Sequence, residues 1–258
     1  MQKPNLHVIK IGGKLINDPD ELSRFIHAIS QEEGKKIIIH GGGRKATELS
    51  ALLSIPVKMV DGRRITNLET LEVAIMVYAG LINKQMVSLF QSKGVNAMGM
   101  CGADGNVIQA HKRPVDDIDY GFVGDIDHVD ASILISLLQA DLVPVLCAIS
   151  HDGAGQLLNT NADTIAAQLA IAMSRSYNVQ LKYCFEYEGV LYDISTPDVT
   201  ISEIQNSELE ELQTSGVINK GMLPKLSNGF DAIQGGVQDV SICGIDNLFS
   251  GKNATILK

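Results

Sequence analysis

Two periods of hydrophobic and polar positions share this chain. Short apolar runs rich in β-branched residues occur at 6–11 (LHVIKI), 37–39 (III), 95–101, 142–149 (LVPVLCAI), 179–185, 239–243 and 254–257, and each predicts a strand. Ile37, Ile38 and Ile39 are apolar on consecutive positions, as a strand buried on both faces of a parallel sheet requires. Between the strands apolar residues recur at helical spacing, predicting helices near 19–31, 44–53, 131–139 and 162–174. Asn17 or Asp18 caps the first of these, with Pro19 at its first position. Thr66-Asn67-Leu68-Glu69 reads as a capping box opening a long helix to about 93, on which Asn83 and Lys84 are ordinary polar-face residues. Residues 57–60 and 63–65 form a short hairpin around Asp61-Gly62. Further on, 102–105 is a turn cluster, and 107–110 is a short strand stopped at Lys112-Arg113-Pro114. The stretch 120–126 is a glycine-punctuated edge strand. From about 176 a second lobe begins, with helices at 203–215 and at 216–233, the latter carrying Lys220, Pro224 and Lys225. Strands alternating with helices make an α/β protein with a parallel sheet.

Composition narrows the class. A chain of 258 residues that is 45% hydrophobic builds a substantial core. Its formal net charge of −9 and lack of a basic run argue against nucleic acid or an anionic membrane as partner. No apolar run approaches the roughly 18 residues of a membrane span, and the first five residues are too short and polar for a targeting peptide. Cys101, Cys147, Cys184 and Cys243 lie far apart with no C-x-x-C pair, which reads as reduced thiols of a cytoplasmic protein. The six histidines show no metal-ligand spacing.

The chemistry concentrates after the first two strands. Gly12-Gly13 follows one and Gly41-Gly42-Gly43 the other. Without Cβ atoms these backbones approach a ligand closely and aim N–H groups at an anion, and the helix that follows adds its positive end. One such turn is explained as a tight βα connection with no ligand. Two at the same sheet edge, outside the carboxyl ends of adjacent parallel strands, make an anion site a serious reading. Lys10 lies inside the first strand, an expensive place for an ammonium unless it faces an anion or snorkels from an edge. Arg63 and Arg64 are surface charges or a bidentate grip for a carboxylate. Asn159, Asn161 and Asp163 crowd one helix start more densely than a cap needs.

Six motifs occur in order: Lys10-Ile11-Gly12-Gly13, His40-Gly41-Gly42-Gly43, Gly62-Arg63-Arg64-Ile65-Thr66, Gly121-Phe122-Val123-Gly124-Asp125, Asn159-Thr160-Asn161-Ala162-Asp163 and Gly221-Met222-Leu223-Pro224-Lys225. Together they resemble the amino acid kinase family across nearly the whole chain. The resemblance implies an open αβα three-layer sandwich with a mainly parallel central sheet and two lobes. Residues 1–175 would bind an acylated amino acid and form a homodimer, and 176–258 would bind ATP, with Mg²⁺. The implied reaction transfers the γ-phosphoryl of ATP to the γ-carboxylate of N-acetyl-L-glutamate, the second step of arginine synthesis. The alternatives are the same reaction on N-succinyl-L-glutamate, or a non-catalytic amino-acid sensor.

By the same resemblance Lys10 and Lys225 would stabilise the transferring phosphoryl group and Asp163 would hold them, with lobe closure bringing the lysines together only when both substrates are bound. Gly42 and Gly43 would cradle the γ-carboxylate, with Gly12 and Gly13 on the phosphate side and no protein metal ligands. Arg64 and Asn159 would grip the α-carboxylate, supported by Asn161. The blocks Gly-Arg-Arg-Ile-Thr and Asn-Thr-Asn-Ala-Asp favour the acylglutamate branch over carbamate kinase, aspartokinase, uridylate kinase and glutamate 5-kinase. One stretch departs from the family pattern. Where Leu-Thr-Asp-Val-x-Gly-Val is usual, residues 183–190 read YCFEYEGV, with Phe185 and Glu186 in place of a small hydroxyl and Asp. The first strand also begins almost at residue 1, so an arginine-insensitive dimer is expected.

Overall fold

The computed structural model describes residues 3–60, 63–193, 195, 199–218 and 221–258. Its centre is an eight-stranded sheet, ordered Glu203–Ile204, Thr255–Leu257, Asp239–Cys243, Asn178–Cys184, Asn5–Ile11, Lys35–His40, Val143–Cys147 and Ala97–Met100. All neighbours are parallel except Asp239–Cys243 with Thr255–Leu257. Ile37, Ile38 and Ile39 are each 0% exposed. Because successive side chains of a strand point to opposite faces, both faces of the sheet are covered, and the fold is an αβα sandwich.

From Asn5–Ile11 the chain builds outward to one side through Lys35–His40, and later to the other through Asn178–Cys184. The two directions part between Asn5–Ile11 and Asn178–Cys184, which pair in register from Asn5↔Asn178 to Ile11↔Cys184. That is a topological switch point, where the loops diverge and leave a crevice at the carboxyl ends. Helix Ala162–Ser174 packs beneath it against both strands and against helix Leu223–Gln234. Its alanines at 166, 167 and 170 are fully buried, and their small size lets the helix lie close to the sheet.

Several elements differ from the sequence reading for physical reasons. The run 142–149 splits at Ala148 into Val143–Cys147 in the main sheet and Ile149–His151 in a second one. That sheet is ordered Leu157–Asn159, Ile149–His151, Ile108–Lys112, Gly124–Val129. Residues 203–215 are not one helix: Glu203–Ile204 adds a strand beside Thr255–Leu257, and helix Leu209–Thr214 follows. Pairing with a strand from the chain's end overrides the acidic helical pattern there. The helix expected from 216 starts at Leu223, with Pro224 in its first turn. Lys220 lies outside the described residues. Met59–Val60 and Arg63–Arg64 do pair antiparallel, and their Asp61-Gly62 turn also lies outside the described residues. A five-residue helix, Gly13–Asn17, follows the first glycine turn, which apolar periodicity is too short to show.

The long helix is capped by Asn67, whose side chain accepts from Thr70 N at 2.9 Å, while Thr66 Oγ1 donates to Arg64 O instead. It runs through Leu68–Ile75, a π-helical stretch Met76–Ile82 and Asn83–Ser92. By length and mean hydropathy alone Leu68–Ser92 is long and apolar enough to cross a membrane, although no unbroken apolar run in it approaches such a span, and Val73, Val77, Met86 and Phe90 are buried in the protein core.

Candidate active site

Lys10 is the penultimate residue of the Asn5–Ile11 strand and only 8% exposed. A buried ammonium needs an anion, and Asp163 provides it at 2.7 Å from Nζ to Oδ1. Lys225, from the first turns of helix Leu223–Gln234, donates from Nζ to the other carboxylate oxygen, Oδ2, at 3.2 Å. Two lysines 215 positions apart in sequence thus share one carboxylate. The packing of helix Ala162–Ser174 on both the first strand and helix Leu223–Gln234 brings the two lysines to it.

The backbone of Asp163 is held at both its N–H and its carbonyl. Asn161 caps the helix, accepting from Asp163 N at 2.7 Å and Thr164 N at 3.2 Å, and Tyr183 Oη donates to Asp163 O at 3.1 Å. Burial favours the neutral carboxyl, but the Lys10 and Lys225 ammonium groups outweigh it and hold the Asp163 pKa below the ordinary value. Burial also pulls Lys10 below the ordinary lysine value, against the attraction of Asp163.

Two cavities flank this corner. The larger, about 420 Å³, is lined by Lys10, Gly12, Gly13, Lys225 and the 185–191 segment. Gly12 N donates to Cys184 O at 2.7 Å, so its amide ties the two central strands together and is not free for a ligand. Its missing Cβ makes room for Phe185, whose Cβ would lie 3.3 Å away. Glu186 pairs with Lys14 at 2.7 Å across the mouth, an arrangement the strand sequence alone does not reveal.

The smaller cavity, about 230 Å³, is lined by Gly41, Gly42, Gly43, Arg64, Asn159 and Asn161 among others. Helix Gly43–Leu52 begins here with no side-chain cap, leaving its first amides and positive end toward the cavity. Gly42 has no room for a side chain: a Cβ would fall 2.5 Å from Ile82 Cδ1 and 2.7 Å from Tyr78 Cδ1. Arg64 is 8% exposed and donates from Nη2 to Gly43 O and to Thr47 Oγ1, both at 2.7 Å. Its Nη1 is buried without a partner, a donor that a bound carboxylate would satisfy. Asn159 Nδ2 donates to Thr66 Oγ1 at 3.1 Å.

The Gly-Phe-Val-Gly-Asp motif braces this wall. Gly121 has φ +70°, and a Cβ there would meet Thr66 O at 2.2 Å, so only glycine allows Phe122 N to reach Thr66 O at 2.7 Å. Sequence reasoning missed Thr47, Tyr78 and Asn83 around the site. Asn83 had a signal: with Met86 and Phe90 it keeps i, i+3, i+7 spacing, which puts it on the buried stripe and not on a polar face. It is fully buried, and that reading is corrected.

Paired lysines on a buried carboxylate and glycine turns without side-chain caps thus lie at the carboxyl ends of parallel strands, at the switch point where open α/β sheets bind their ligands. The sequence profile of the amino acid kinase family spans residues 5–244. The chain belongs to the amino acid kinase family. The acetylglutamate kinase of Bacteroides thetaiotaomicron is 50% identical over 240 residues, 93% of each chain. That of Cytophaga hutchinsonii is 49% identical over 249 residues, 96% of this chain and 94% of the relative. Among solved structures, smu.665 from Streptococcus mutans UA159 has the same fold, with a TM-score of 0.79 at 24% identity over 98% of both chains.

Proposed function

We propose that this protein transfers the γ-phosphoryl group of ATP to the γ-carboxylate of N-acetyl-L-glutamate, giving N-acetyl-L-glutamyl 5-phosphate for arginine synthesis in the cytoplasm. One observation carries the reading: Lys10 and Lys225 line the larger cavity while their shared partner, Asp163, adjoins Asn161 and Ala162 on the wall of the smaller. A nucleotide in the first and an acyl amino acid in the second would meet at the lysines. Two relatives of about 50% identity named acetylglutamate kinase support it.

The chemistry is attack of a carboxylate oxygen on the γ-phosphorus, forming an O–P bond as the bond to ADP breaks. The nucleophile is already ionised, so no general base is needed. The residues position two anions and neutralise charge as it spreads over the phosphoryl oxygens. Lys10 and Lys225 supply the neutralising charge, Asp163 aims them, the Gly42–Gly43 turn holds the γ-carboxylate, and Arg64 with Asn159 holds the α-carboxylate. Gly12 and Gly13 floor the nucleotide side. Mg²⁺ enters as Mg-ATP with phosphate oxygens among its ligands; among the described residues no group of three or more His, Cys, Asp or Glu side chains is ready for a metal. In this reading 1–175 is the acyl-amino-acid lobe and 176–258 the nucleotide lobe.

The succinyl alternative has its own support in Arg113, which lines the smaller cavity and has a buried Nη1 without a partner, free to meet a second carboxylate. The test is ADP release from Mg-ATP with N-acetyl-L-glutamate, N-succinyl-L-glutamate and L-glutamate in parallel. Turnover on the acetyl compound alone is expected, turnover on the succinyl compound alone reassigns the acyl group, and turnover on neither removes the kinase reading.

A further inference from the structure

Behind the triple-glycine turn, inside the apolar core, lies a hydrogen-bonded chain that the reaction as described does not use. His40 and Asn83 are both 0% exposed. His40 Nδ1 is 2.8 Å from Gly41 O, and its Nε2 is 3.1 Å from Asn83 Nδ2. Asn83 Nδ2 also donates to Val145 O at 2.9 Å, and Asn83 Oδ1 accepts from Lys84 Nζ at 3.1 Å. These outer partners orient the amide, since reversing it would set its oxygen against the Val145 carbonyl and its NH₂ against an ammonium.

With the amide oriented, one state of the imidazole satisfies both neighbours. A carbonyl only accepts, so Nδ1 carries the proton toward Gly41 O. An NH₂ only donates, so Nε2 presents its lone pair. Burial keeps the ring neutral, lowering its pKa to about 4; the bond to Gly41 opposes this and the nearby Lys84 charge adds to it. The helix that brings Asn83 here is also unusual. Asn83 directly follows the π-helical stretch Met76–Ile82, the stretch that carries Tyr78 and Ile82 against Gly42. A π turn shifts the register of everything after it, and such turns gather at functional sites. Here it lets one helix press on Gly42 and reach the ring behind Gly41.

We infer that His40 and Asn83 are positioning residues for the acyl-amino-acid site: Asn83 selects the His40 tautomer, and His40 grips the Gly41 carbonyl so that the glycine amides beyond it face the cavity. The inference rests on the Gly42–Gly43 turn being the carboxylate cradle. It applies only to the substrate side, because Gly41, whose carbonyl His40 holds, lines the smaller cavity and not the larger.

The test begins without substrate. ¹⁵N-histidine NMR of the full chain is expected to show His40 as the Nδ1–H tautomer, with no titration between about pH 5 and 9. Asn83→Asp replaces the donor with an acceptor, so His40 is expected to gain a proton at Nε2 and titrate within that range. Asn83→Leu is expected to move the Gly41, Gly42 and Gly43 amide resonances and to raise KM for the acylglutamate about tenfold, the scale of one buried hydrogen bond, leaving KM for ATP within about twofold. At position 40, asparagine retains a donor near Nδ1 whereas leucine retains only bulk. KM is therefore expected to rise less in His40→Asn than in His40→Leu, and pure packing would reverse that order. An Nε2–H tautomer in the wild type, or unmoved glycine resonances in a folded Asn83 variant, overturns the inference. Loss of the kinase reading alone would leave both NMR results standing.

Discussion

Lys10, Asp163 and Lys225 place three charges where the protein has nearly excluded water, and each constrains the others. Replacing Lys10 or Lys225 by alanine is expected to lower turnover by roughly 10²-fold or more, the scale of one preorganised donor. A loss under about threefold in a steady-state assay would remove that residue from the chemistry. Because burial depresses Lys10, its charge is lost as pH rises before the ordinary lysine value of about 10.4 is reached, so turnover should fall on an alkaline limb below that value. Asp163 works in the opposite range. Its folded pKa is below the unfolded value, so its stabilisation is complete above about pH 4 and is lost as pH falls through the folded value. Asp163→Asn is expected to abolish this acid-side slope in denaturation curves. It should also cost on the order of 3 kcal/mol at neutral pH, the low end for breaking a buried pair, since two ammonium groups lose their shared carboxylate.

At the scale of elements, helix starts and glycines carry the site. Asn161 bonds two amides of the helix that presents Asp163. Asn161→Ala is expected to cost about 1 kcal/mol by chemical denaturation and to reduce turnover as well, because the same turn aims the carboxylate. Asp18→Ala, which uncaps Pro19–Gln31, a helix that carries neither lysine nor Asp163, should cost a similar amount with turnover unchanged. A joint loss of activity in both variants would show that stability, not aim, is being measured. These caps and the strand-glycine-helix pattern were legible because their signals lie within a few residues of one another. The capping role of Asn67 in place of Thr66 was not, since the Thr66 hydroxyl is taken by Arg64 O and by Asn159 from a distant segment.

Over the whole molecule, one eight-stranded sheet forms the frame, and its switch point sets the site where the chain's first strand meets Asn178–Cys184. The long helix keeps Leu68, Met76, Leu81 and Leu89 exposed, and we propose that a second copy of the chain covers part of this apolar surface. We therefore expect a homodimer by analytical ultracentrifugation, converted to monomer by Leu81→Glu; a wild-type monomer at micromolar concentration would remove the dimer from this reading. Local pattern determined the alternation of strands and helices, the fully buried Ile37–Ile39 run, the glycine turns and the order of motifs, because each depends on residues close in sequence. Tertiary structure alone decided the rest. It turned the acidic start of 203–215 into an edge strand and set Asn83 inside the core behind His40. It also brought Lys10 and Lys225, far apart in sequence, onto one carboxylate. Burial and pairing between distant segments are properties of the packed chain, and no short stretch of sequence contains them.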